Sequence, residues 1–93
     1  MSAMRWINAV GQGWASILKP ILEQAVKEDA HIAQVKEKFG GLRIYAYDGS
    51  DELMNMIDVA ENASYKICEY CGEPGVPRAG SWTKTLCDKC WSM

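Results

Sequence analysis

The sequence predicts an α+β fold: a helix, a β-hairpin, a second helix, and a C-terminal four-cysteine finger of zinc-ribbon or truncated treble-clef type. Three observations predict it. Apolar residues recur at steps of three and four in two separate stretches, a strictly alternating segment follows a Gly-Gly pair, and the four cysteines lie near the C-terminus as two C-x2-C pairs.

The first stretch, WASILKPILEQAVKED (residues 14–29), places Trp14, Ile17, Leu18, Ile21, Leu22, Ala25 and Val26 at helical spacing. It reads as an amphipathic helix of about four turns. Pro20 leaves two readings open: a kink, or a main helix that begins with Pro20 at its first position, where the missing N–H costs little. Gly11 and Gly13 predict an irregular or weakly helical lead-in.

In HIAQVKEKFGGLRIYAYDGS (residues 31–50), Ile32, Val35 and Phe39 also fit one side of a helix ending at Gly40. The alternation of LRIYAY, rich in β-formers, decides for strands, with Gly40-Gly41 as the tight turn. That turn sets Phe39 opposite Leu42, Glu37 opposite Ile44 and Val35 opposite Ala46, giving one largely apolar face. Lys36, Lys38, Arg43, Tyr45 and Tyr47 take the other face. Asp48-Gly49-Ser50 ends the hairpin, and Ser50 is expected to cap a helix whose first turn holds Asp51 and Glu52. Leu53, Ile57, Ala60, Ser64 and Ile67 then continue the stripe into Cys68. One domain is expected over residues 1–93, its helix-hairpin-helix part at 1–67 and its finger at 68–93.

Composition narrows the class. A chain of 93 residues, 48% apolar and 24% charged, is too hydrophobic for disorder and has no apolar run of membrane-spanning length. The opening MSAMRWINAVGQGW has no continuous apolar segment or small-residue cleavage site, which predicts a cytoplasmic protein. In a reducing compartment, paired C-x2-C motifs read as metal ligands or redox centres before they read as disulfides.

Cys68, Cys71, Cys87 and Cys90 form C-x2-C-x15-C-x2-C, the spacing of four-cysteine zinc sites. Two intervening residues let a knuckle aim both sulfurs at one ion, and the longer loop, shaped by Pro74, Gly75, Pro77 and Gly80, brings the second pair round. One structural Zn²⁺ is expected, because four protein ligands fill the sphere whereas catalytic zinc keeps a position open. Four thiolates around Zn²⁺ take the formal charge from −2 to about −4, unfavourable for non-specific phosphate binding. A dithiol redox role lacks the thioredoxin βαβ setting. With one histidine, His31, and no phosphate loop, dinucleotide fingerprint, HExxH or nucleophile elbow, no enzyme is expected. Asp48, Asp51 and Glu52 are accounted for by the turn and the helix start.

For partners, the expected register places Lys38 opposite Arg43, a like-charge pair, beside Lys36, Tyr45 and Tyr47. This patch suits an acidic protein surface or a phosphate backbone with stacked bases, and equally a solvated edge protected by lysines. Trp82 and Trp91 flank the second cysteine pair and serve either to seal the finger or to anchor an interface. Only Trp91, Ser92 and Met93 follow Cys90, so a DNA-reading helix leaving the finger is not expected.

At Gly13-Trp14, QVKEKFGGLRIY (residues 34–45) and the segments ICEYCGEPG and TLCDKC, the chain resembles a group of small uncharacterised proteins of bacteriophages and prophages. The resemblance spans residue 13 onward, and the hairpin phrase and cysteine frame are its specific parts. It implies origin and fold more than activity. It makes a non-enzymatic accessory factor the leading expectation, one that binds and modulates a host protein, for example in a defence system, and takes no small-molecule substrate. The alternative is a small zinc-finger nucleic-acid binder using Lys36, Lys38, Arg43, Arg78, Lys84 and Lys89.

Overall fold

A computed structural model describes residues 3–92. Two 3₁₀ turns, Ala3–Asn8 and Gln12–Trp14, lead into helix α1 (Ala15–Glu28), which passes through Pro20 without a break. The reading of Pro20 as a helix start is not the one adopted, since the helix begins five residues earlier at Ala15. The first turns of this helix follow directly from Gln12–Trp14, and burial of Leu18, Ile21, Leu22 and Ala25 offsets the one hydrogen bond that Pro20 cannot make. Asp29, in the left-handed region, ends α1 and returns its N–H to the Val26 carbonyl at 3.2 Å.

Strands β1 (His31–Lys38) and β2 (Gly41–Tyr47) form the antiparallel hairpin, but its turn is Phe39-Gly40 rather than Gly40-Gly41. Both turn residues have positive φ, 53° and 85°, as a two-residue turn matched to strand twist requires. Gly41 belongs to the strand, paired with Lys38, and a Cβ there would run into the ring of Tyr65. The pairs are therefore Glu37 with Leu42, Val35 with Ile44 and Lys36 with Arg43, and Lys38 lies opposite Gly41. Moving the turn by one residue shifts the pairing by two, so each side chain keeps its face while its partner changes. Phe39 leaves the apolar face and stands in solvent at the turn.

A bulge between Ile32 and Gln34 then places Ile32 and Val35, three residues apart, on the same buried face. This explains why a helical spacing runs through a strand.

Helix α2 (Asp51–Ser64) starts as expected: the Ser50 hydroxyl accepts the Leu53 N–H at 3.1 Å, and Asp51 and Glu52 occupy the first turn. Leu53, Ile57, Ala60 and Ser64 face inward. α2 also closes the free edge of β2. The Leu42 N–H donates to Ser64 Oγ at 2.9 Å and the Ile44 N–H to Glu61 Oε2 at 2.9 Å, so side chains of a helix take the place of a third strand. Glu28 joins the helix ends by accepting the Ser50 N–H and hydroxyl at 2.9 and 2.6 Å.

Trp14, α1, the inner face of the hairpin and α2 make one core. Among the described residues no helix is long and apolar enough to cross a membrane. Trp14 is 0% exposed, so Trp14→Ala is expected to lower unfolding free energy by about 3–5 kcal/mol. Val26→Ala, at a half-exposed position of the same helix, should stay within about 0.5 kcal/mol. Urea unfolding of the two variants checks both.

Candidate metal centre and the surfaces around it

Beyond α2 the chain makes a knuckle carrying Cys68 and Cys71, a short hairpin of β3 (Val76–Arg78) and β4 (Lys84–Leu86), and helix α3 (Asp88–Trp91). The knuckle closes on backbone bonds: the Cys68 N–H donates to the Glu73 carbonyl at 2.7 Å and the Gly72 N–H to the Cys68 carbonyl at 2.9 Å. Cys87 caps α3, its sulfur accepting the Cys90 N–H at 3.4 Å. The second pair sits at the start of a helix, so the finger follows a knuckle-hairpin-helix order.

The four Sγ atoms lie within 4.8 Å of one another, with Cys71 and Cys87 at 3.5 Å. A tetrahedral ion bound at ordinary metal–thiolate distance separates its sulfurs by about 3.8 Å. The donor set fits such an ion and fills its coordination sphere. Cys68 is buried and Cys71 exposed, so the centre lies between core and solvent. Burial pushes the Cys68 thiol up, but hydrogen bonds from the backbone of Cys87, Cys71 and Tyr70 outweigh it and bring it down to about 6. Burial and the neighbouring sulfurs push the Cys90 thiol up to about 12. The backbone donors thus favour the thiolate of Cys68, while Cys71 and Cys90 are shifted toward the thiol form.

The centre is locked to the core by the lead-in segment. The Gly13 N–H donates to the Glu69 carbonyl at 2.7 Å, the Gly11 N–H to Glu69 Oε2 at 3.1 Å, and the Trp14 indole N–H to the Ile67 carbonyl at 2.9 Å. At Gly13 a Cβ would collide with the Cys68 carbonyl, so only glycine permits this approach. On the other side the Thr85 hydroxyl donates to the Gly40 carbonyl at 2.6 Å, and the Lys84 ammonium bridges Glu69 at 3.2 Å and Glu37 at 3.4 Å. Glu69 and Lys84 as a core-to-finger bridge had no signal in the sequence, since they stand 15 residues apart and only the folded finger brings them together.

The expected partner residues separate into three places. Lys36, Arg43, Tyr45 and Tyr47 lie on the outer hairpin face, with Lys36 over the Tyr45 ring and Tyr47 stacked on His31. The like-charge pair there is Lys36 with Arg43, and Arg43 is drawn aside by donating to the Tyr65 hydroxyl at 2.6 Å. Lys38 and Trp82 line a cleft of about 400 Å³ with Phe39, between the hairpin turn and the β3–β4 loop. Trp91 lies outside that cleft, half exposed, with Arg78 over its ring. The tryptophan sealing the finger against the core is Trp14. Phe39 in the cleft was hidden from sequence reading by the misplaced turn.

Comparisons with protein-family models, curated proteins and solved structures find no match to this chain. Four cysteines from two knuckles form a cluster able to hold one metal ion.

Two outcomes follow from this geometry. Complete chelation should expose to protease both the finger and the lead-in up to Trp14, because residues 11–14 bond to the first knuckle; digestion followed by mass spectrometry maps the cuts. Lys84→Ala leaves the nearly buried Glu69 carboxylate without its cation and should cost about 1–3 kcal/mol at neutral pH. Burial opposes the charge on Lys84, but the hydrogen bond and attraction to Glu69, with Glu37, raise its pKa above the ordinary 10.5. A raised folded pKa means the stabilisation is complete below pH 10.5 and is lost as pH rises through the folded value. The gap between wild type and variant in urea should narrow as pH rises through that alkaline range.

Proposed function

We propose that the chain is a zinc-stabilised, non-enzymatic protein-binding module. The observation that carries the reading is the cleft at the hairpin turn, where Phe39 and Trp82, 74% and 72% exposed, flank Lys38 on a frame held by the four-sulfur centre. Two large aromatic side chains at the mouth of a cleft are interface anchors in character, and a rigid frame reduces the ordering cost of binding. Zinc is the ion we assign, since soft thiolates in a tetrahedral set favour it.

Of the six cations that a nucleic-acid reading requires, two are ion-paired within the protein, Arg78 with Asp88 and Lys84 with Glu37 and Glu69, and Arg43 is turned toward the Tyr65 hydroxyl. This supports a protein partner over a phosphate backbone. The resemblance to phage and prophage proteins supports a host protein as that partner, a component of a defence system being one example, encountered in the cytoplasm.

The test captures partners on the zinc-loaded, tagged protein from bacterial lysate, with nuclease and at high salt. Metal analysis is expected to give one zinc per chain. A stoichiometric protein that survives both treatments, and is lost with Phe39→Ala/Trp82→Ala but kept with Lys36→Ala, supports the reading. Material that vanishes with nuclease, with a steep salt dependence, overturns it in favour of nucleic acid.

A further inference from the structure

On the flank of α2 away from Glu61 and the hairpin edge, α1 and α2 leave an open groove of about 710 Å³. Ile17, Pro20 and Ile21 line it from α1, and Met56, Val59 and Ala63 from α2. The alanine leaves depth, and Val59 is 69% exposed, an apolar side chain that the fold itself does not use. The lining residues of α2 run from Glu52 to Ala63, about 17 Å along the helix axis, or three turns.

The α2 rim carries charge of one sign. Glu52 projects from the lining itself, and Asp51 and Asp58, both exposed, stand two turns apart on the stripe beside Asn55 of the lining. Asn62, also exposed, continues that stripe without charge. α2 contains no lysine or arginine, and none of the α1 residues in the groove is charged. We propose that this groove receives a basic amphipathic helix of a protein partner, its apolar face on Ile17, Met56 and Val59 and its lysines or arginines over Asp51, Glu52 and Asp58. Helix-in-groove binding uses anchors at steps of three, four and seven, which three turns of groove accommodate. A second copy of this chain is the poorer occupant, because twofold pairing through α2 brings two acidic rims together. The site is separate from the Phe39 and Trp82 cleft, so either can fail without the other.

The experiment uses the full zinc-loaded chain and fluorescence anisotropy at physiological salt. The probe is a labelled amphipathic peptide of leucine and lysine, about three helical turns long. A scrambled peptide of the same composition and a leucine-glutamate counterpart are the controls. The expected result is that the leucine-lysine peptide binds at least about tenfold tighter than either control. Val59→Arg and the double variant Glu52→Lys/Asp58→Lys should each weaken it by at least about tenfold, while Phe39→Ala/Trp82→Ala leaves it unchanged. All these positions are exposed, and circular dichroism of each variant verifies the fold. Equal binding of the scrambled peptide, or undiminished binding by either groove variant, overturns the proposal. A dimer in sedimentation that Val59→Arg dissolves overturns it too, by assigning the groove to a second copy.

Discussion

The backbone of residues 67–69 is where the halves of this protein meet, and the rest depends on its hydrogen bonds. The Ile67 carbonyl takes the Trp14 indole, the Glu69 carbonyl takes the Gly13 N–H, and the Glu69 N–H donates to the Thr85 carbonyl at 2.9 Å. Cys68, between them, is 0% exposed. A cysteine of the four-sulfur cluster is thus seated in the same packing that buries the largest aromatic residue of the core. Holding the sulfurs together and burying the tryptophan are one structural event, and a chain of this length gains from sharing its core with its cysteine cluster.

Around that junction the two-stranded hairpin is made viable by what covers it. An isolated hairpin is marginal in water. Here Ser64 and Glu61 satisfy the outer N–H groups of β2, the core packs beneath, and Thr85 and Lys84 tie the turn to the finger. Rigidity reaches the tip, which is why Phe39 can stand in solvent at a defined place beside Trp82. No described side-chain nitrogen or oxygen is buried without a hydrogen-bond partner, so the bridge from Glu37 through Lys84 to Glu69 is fully satisfied rather than a reservoir of strain.

The surface divides by charge as well as by shape. The outer hairpin face carries Lys36 and Arg43, with aromatic rings against both, whereas α2 sets Asp51, Glu52 and Asp58, and no cation, beside an apolar groove. A small net charge conceals this separation, since opposite signs on opposite elements cancel in the sum but not in the local field.

The order of elements, the Ser50 cap, the inward stripe of α2 and the four clustered cysteines were all readable in the sequence, because each rests on local chemistry: residue spacing, one hydroxyl, one knuckle. The hairpin register was not. Gly40 and Gly41 are equivalent as turn formers in isolation, and the Tyr65 ring packed against Gly41, 24 residues further on, leaves no mark in the local sequence. The bulge that reconciles Ile32 with Val35, the unbroken helix through Pro20 and the Glu37, Lys84 and Glu69 bridge were likewise decided by tertiary packing. Their energies come from contacts between residues far apart in the chain, and no local propensity records those.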